Sequence, residues 1–157
     1  MWKEAGGALK TIIGNQAEKI GQGGLLKVEG QKGIRLPNGL YLQYPNLRKQ
    51  DGAGMPEYVY DTKKGRSIIP NRIYGPKVVE NVCQALARII IGEQMLAITK
   101  KYKVAMTVHD SVVALVPEHE AEEGKEFIMA CMRLRPKWAT DLPLNCEAGV
   151  GRSYGDC

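Results

Sequence analysis

Val104-Ala105-Met106-Thr107-Val108 and Val112-Val113-Ala114-Leu115-Val116 are two apolar runs with only His109, Asp110 and Ser111 between them. Short apolar runs rich in Val, broken by a brief polar step, read as two strands joined by a tight bend. Such a bend holds the Asp110 carboxylate rigidly between two core strands and leaves it open to solvent. A hard divalent cation takes an oxygen ligand of this kind. Phosphoryl and nucleotidyl transfer use cations held that way to clamp the attacking and leaving oxygens. Asp and Ser are also ordinary turn residues, so the local pattern reads as a plain surface turn as well.

The rest of the 157 residues limits what can surround this bend. A hydrophobic content of 44% supports a buried core, and with one Phe and two Trp that core must be mostly Ile, Leu and Val. The 25% of charged residues and the net charge of +5 are ordinary for a folded chain. The length suits one domain or part of a larger one. No run approaches the roughly 18 apolar residues of a membrane helix, and the N-terminus shows no export signal. Cys83, Cys131, Cys146 and Cys157 form no C-x-x-C pair, so no zinc site is expected. Two of them fall on apolar faces and read as reduced thiols, which points to a cytoplasmic compartment. The charge is uneven. Through Ala105 there are 17 Lys/Arg against 8 Asp/Glu, and beyond it 5 against 9. A basic half beside an acidic one suggests a polyanion partner, with a merely solvated surface as the competing reading.

Along the chain, Trp2, Ala5, Leu9, Ile12, Ile13 and Ile20 recur at helical spacing and predict a helix over roughly the first twenty residues. Ile34-Arg35-Leu36 and Leu40-Tyr41-Leu42 alternate around Pro37-Asn38-Gly39, a strong hairpin signal. A polar loop is expected from Asn46 to Pro56. A second hairpin follows, from Tyr58-Val59-Tyr60 through the basic turn Lys63-Lys64-Gly65 to Ser67-Ile68-Ile69. That turn reads as a phosphate contact or as a solubilising loop tip. A long helix is expected from Pro76 to about Tyr102, burying Val78, Val82, Leu86, Ile89, Ile90 and Ala97. After the two strands around His109-Asp110, a helix from Glu118 to Pro136 buries Phe127, Ile128, Cys131 and Leu134. His119 is a polar residue in its first turn. A last strand is expected near Leu142 to Val150. The fold class is α+β, with an antiparallel sheet and helices packed on one face.

The run Pro76-Lys77-Val78-Val79-Glu80-Asn81-Val82-Cys83-Gln84-Ala85-Leu86-Ala87-Arg88, followed about twenty residues on by Val108-His109-Asp110, resembles the C-terminal palm of family A, DNA polymerase I-like, DNA polymerases. The bacteriophage branch is the nearest in pattern. Trp138-Ala139, Leu142-Pro143-Leu144, Glu147, Gly149-Val150-Gly151 and Tyr154-Gly155-Asp156 agree with it, as does the hairpin Leu36-Pro37-Asn38-Gly39-Leu40. The resemblance implies a palm-type segment of a larger polymerase fold. Residues 1–75 would be the helix and hairpins after the fingers, and 76–157 the helix, His-Asp hairpin, helix and final strand. It implies DNA-directed DNA synthesis in replication, with Mg2+ as cofactor and with primer-template DNA and a deoxynucleoside triphosphate as partners. The location implied is the cytoplasm, that of a host if the chain is phage-encoded.

Residue by residue, the resemblance makes Asp110 a catalytic metal ligand and places His109 beside it near the primer end. Gln84 falls at the family's minor-groove glutamine, with Asn81 and Arg88 on the same helix face as further DNA contacts. The chemistry is compatible, because a side-chain amide can donate to the N3 and O2 acceptors that every base pair shows in the minor groove. Two positions depart from the family. Ser111 stands where a Glu usually follows His-Asp, which removes a neighbouring carboxylate. Glu80 stands where a neutral polar residue is common, and its charge would repel DNA unless Arg88 or a metal offsets it.

Two-metal nucleotidyl transfer normally uses two aspartates. Asp51, Asp61, Asp141 and Asp156 are not convincing partners for Asp110, and the family's Asp-Ser-Gln-Ile-Glu type motif and nucleotide-gripping fingers helix are absent. The chain therefore reads as part of a polymerase that is inactive alone and needs the missing upstream segment in cis or in trans. The alternatives are a non-catalytic DNA-binding fragment and one subunit of a split polymerase. A His-Asp phosphohydrolase would need further His ligands on helices. Three consecutive residues cannot converge as a Ser-His-Asp triad.

Overall fold

The computed structural model describes residues 2–51 and 56–156, the side chains of Trp2 and Pro56 excepted. The chain divides into two compact units, Met1–Leu86 and Ala87–Cys157.

In the first unit, helix α1 (Trp2–Ile13) buries Ala5, Ala8, Leu9 and Ile12, a one-sided helical stripe. The stripe packs on a four-stranded antiparallel sheet of β1 (Ala17–Ile20), β2 (Leu26–Glu29), β3 (Ile34–Arg35) and β4 (Tyr41–Leu42). Val28 and Ile34 are fully buried at its centre. The helix is shorter than expected. Asn15 takes a positive φ of 51°, which Asn tolerates, and the chain reverses there. Residues 17–20 then pair with β2 instead of continuing the helix. The Asn38-Gly39 hairpin forms as expected between β3 and β4, with the Leu40 N–H donating to Asn38 Oδ1 at 3.1 Å.

A second antiparallel sheet holds β5 (Arg48–Asp51), β6 (Pro56–Lys64) and β7 (Ser67–Ile73), in that order. Part of the polar stretch expected to be a loop is therefore the edge strand β5. All four of its residues are exposed, so it carries no alternating apolar signal. Residues 52–55 of that stretch lie outside the described residues. The basic-turn hairpin is β6–β7.

Helix α2 (Gly75–Ile98) begins in the first unit and ends in the second. It stops four residues before Tyr102, whose N–H still reaches the Ile98 carbonyl at 2.9 Å. Of its expected stripe, Val78 and Ile89 are buried, and Val82, Leu86, Ile90 and Ala97 are half-buried.

In the second unit, β8 (Lys103–Val108) and β9 (Ser111–Leu115) pair antiparallel, and α3 (Ala121–Met132) follows a 3-10 turn at Glu118–Glu120. Ile98, Tyr102 and Cys131 are the buried centre, packed by Val104, Val112, Ala114, Val116, Phe127 and Ile128. Burial pushes the Cys131 thiol above its ordinary pKa. The Tyr102 ring meets Phe127 edge-on at 5.7 Å, and its hydroxyl donates to Glu120 at 2.9 Å. Buried Gln94 donates to the Met132 carbonyl at 2.6 Å, which the end of α3 leaves free, and to the Leu134 carbonyl just beyond it at 3.3 Å. Helix α3 ends at Met132, well before Pro136, and Leu134 is 52% exposed instead of buried. No strand forms from Leu142 to Val150. That segment contains Pro143 and is tethered by side chains: Arg133 donates to Asn145 Oδ1 at 3.2 Å and to the Cys146 carbonyl at 3.4 Å.

The fold class is α+β with antiparallel strands, as the alternation of elements implies. Among the described residues the strands divide among three sheets, two in the first unit and one in the second.

Candidate metal and nucleic-acid site

The β8–β9 hairpin turns in two residues. Val108 pairs with Ser111, so His109 and Asp110 alone make the loop. His109 has φ 54°, while Asp110 is not among the residues of positive φ. Positive φ at only the first loop position is the pattern of a II′ turn, where Gly is the favoured residue. Another two-residue loop among the described residues, Gly65-Arg66 between Lys64 and Ser67, shows the same pattern with Gly65 at φ 61°. His109 thus holds a backbone conformation that L-residues adopt at a cost of about 1–2 kcal/mol.

A bulge sits on the approach to this loop. The register jumps between Val104 and Met106, leaving Ala105 as the extra residue of β8. Thr107 is thereby set opposite core-facing Val112, and Met106 turns outward with 41% exposure. Bulges re-aim side chains in this way beside functional loops.

Asp110 is exposed and makes no hydrogen bond or ion pair among the described residues. His109 and Ser111 are exposed on either side of it. A free carboxylate in a two-residue loop is a suitable hard-cation ligand. One carboxylate is half of a two-metal cradle, and no group of three or more His, Cys, Asp or Glu side chains gathers among the described residues. Asp61, in the first unit, is occupied: Asn46 donates to it at 3.0 Å and Arg48 at 2.9 Å, which holds its carboxyl below the usual range. Asp156 accepts from the Ser153 hydroxyl at 2.7 Å. Asp51 and Asp141 are exposed. His119 is exposed in the 3-10 turn, 3.6 Å from Glu120.

The helix residues fall on both sides of the division between the units. In the first, Gln84 is exposed and Asn81 is half-buried, its amide donating to the Tyr44 hydroxyl at 3.2 Å. Arg88 belongs to the second unit and is exposed. The structure thus joins His109 and Asp110 in one loop, and it lays Asn81, Gln84 and Arg88 along one helix. The Glu80 charge is offset locally. Lys77 donates to its Oε1 at 2.7 Å, and the Gln84 amide approaches the same oxygen at 3.4 Å. Sequence reasoning looked to Arg88 or a metal for that offset. The i,i+3 spacing of Lys77 and Glu80 was the available signal.

The chain is similar to the DNA polymerase of Bacillus phage SP02, with 31% identity over 153 residues. The matched stretch is 94% of this chain and 23% of that protein, so the chain spans about a quarter of the relative's length. No family model matches the chain. No solved structure matches it. The relationship to a phage DNA polymerase extends over nearly all of this chain.

Proposed function

We propose that this chain is the C-terminal palm portion of a family A DNA-directed DNA polymerase, and that Asp110 is one of the two aspartates holding its Mg2+ ions. The observation that carries this is an exposed, partner-free carboxylate in a two-residue loop between core-anchored strands, in a chain similar to a phage polymerase. Bound Mg2+ would stabilise charge on the attacking and leaving oxygens of nucleotidyl transfer. The chain's own part is to hold Asp110 rigid. The bulge at Ala105 and the tight His109-Asp110 loop do this, with His109 beside the primer end. Gln84 and Arg88 are exposed donors suited to the minor-groove side of primer-template DNA, and Asn81 braces the same helix against Tyr44. The other aspartate and the groups that grip the deoxynucleoside triphosphate come from a further polymerase segment, in cis or in trans, in the cytoplasm.

Two experiments test this. The 157-residue chain alone should show no Mg2+-dependent primer extension. Grafted in place of the matched stretch of the phage SP02 polymerase, it should extend a primer. Asp110→Asn should then slow extension more than about 100-fold, beyond what losing an outer partner of a metal ligand costs. A graft that extends equally well with Asn at this position would make the chain a non-catalytic DNA-binding fragment.

A further inference from the structure

The β6–β7 hairpin carries a charge pattern that the proposed active site does not use. From Lys63 to Arg72, ten consecutive residues are exposed. A strand packed on a core buries every second residue, so neither face of this ribbon is buried against a core. Strand β5 accompanies β6 only as far as Val59, and the last backbone bond from the body of the unit joins the Asp61 N–H to the Pro45 carbonyl at 2.8 Å. Beyond that point β6 and β7 pair only with each other, which makes an arm of about 10 Å at 3.3 Å per residue.

Charge on the arm is segregated. At its base, Arg48 pairs with Asp61 at 2.9 Å and Arg72 with Glu57 at 2.8 Å. At its tip, Lys63, Lys64 and Arg66 have no acidic partner among the described residues, and no Asp or Glu lies between Thr62 and Ile73. The tip is preorganised, because Gly65 supplies the positive φ of a two-residue turn without strain. Ile68, 72% exposed, and Ile69, 38% exposed, follow the cations on opposite faces of β7.

We infer that this arm is a second nucleic-acid contact, in which Lys63, Lys64 and Arg66 grip the phosphates of a duplex and the ribbon lies along its groove. A two-stranded ribbon fits the major groove, and exposed aliphatic side chains there can contact thymine methyl groups. The inference names a DNA contact within the polymerase reading. Unlike that reading, it needs no metal and no second carboxylate.

The test is the affinity of the whole chain for a fluorescent DNA duplex of about 20 base pairs, without metal, from about 50 to 200 mM salt. Lys63→Gln, Lys64→Gln and Arg66→Gln together should weaken binding about tenfold or more and reduce the log–log salt slope by two to three, at roughly 0.9 per lost phosphate contact. A matched triple change of exposed Lys10, Lys19 and Lys32 to Gln should have much less effect. Equal losses in the two triples would reduce the effect to net charge and overturn the arm. So would unchanged binding in the arm variant, or binding to phosphatidylserine vesicles in place of duplex. None of these outcomes touches the Asp110→Asn test, which reads catalysis by the grafted enzyme.

Discussion

His109 fills a backbone position that Gly65 fills in the two-residue β6–β7 hairpin, so the loop next to Asp110 keeps a strain that glycine would remove. His109→Gly should raise stability by about 1 kcal/mol, seen as a melting temperature higher by about 2–4 °C. A fall instead would mean that the imidazole holds the loop through its own contacts. The alternation of Val runs around His109-Asp110 made the bend legible from sequence, but the sign of φ was not, because the strands' pairing register sets it. Charges behave similarly. Glu29, Asp61 and Glu123 are each held below the usual carboxyl range, Glu29 chiefly by the Tyr41 hydroxyl, Asp61 by Asn46 and then Arg48, and Glu123 by Lys101. A carboxyl lowered in the fold adds stability that is present above its unfolded pKa, near 4, and is lost as pH falls through the folded one. The melting temperature should therefore be flat from about pH 7 to 5 and fall below about pH 4. Tyr41→Phe should make that acid limb shallower, and an unchanged limb would show that the hydroxyl does not set the Glu29 titration.

At the scale of elements, packing reverses what propensity alone predicts. Gly92 and Gly124 both sit inside helices, where Ala is favoured over Gly by about 1 kcal/mol. A methyl group at Gly92 meets open space, so Gly92→Ala should stabilise by about 0.5–1 kcal/mol. At Gly124 the same methyl lies 2.9 Å from Val116 Cγ2 and closer still to Cγ1, so Gly124→Ala should destabilise by about 1–2 kcal/mol once overpacking is set against propensity. Urea midpoints of the two variants should move in opposite directions. Gln94 is a third case: it reads as an ordinary polar helix residue, yet it is 2% exposed and caps the end of α3. Gln94→Met should destabilise by about 1–3 kcal/mol, because it strips partners from the Met132 and Leu134 carbonyls. No loss in a urea titration would show that water replaces the amide. The same logic explains the misread elements. Residues 17–20 keep helical phase only through Ala17 and Ile20, and pairing with β2 outweighs it.

For the whole molecule, the basic excess belongs to one unit. The first holds 13 Lys/Arg against 7 Asp/Glu, and the second 9 against 10. Amide hydrogen exchange with bound duplex should show protection mostly within residues 1–86, fading as salt rises from about 50 to 200 mM. Protection confined to residues 87–157 would contradict the charge reading. No helix of the described residues is long and apolar enough to cross a membrane. What the sequence determined by itself was local: the α+β class, the β3–β4, β6–β7 and β8–β9 hairpins, the long helix after Pro76, and the solvent-facing Asp110 between two apolar strands. Those features follow from side-chain period and turn chemistry, which act over a few residues. Only the tertiary structure decided where helices stop, that Ala105 is a bulge, that Lys77 answers Glu80, and that the β6–β7 tip stands clear of the core. Each of these depends on which distant segment covers a given face, and that choice is made by burial and pairing between segments that no short window of sequence contains.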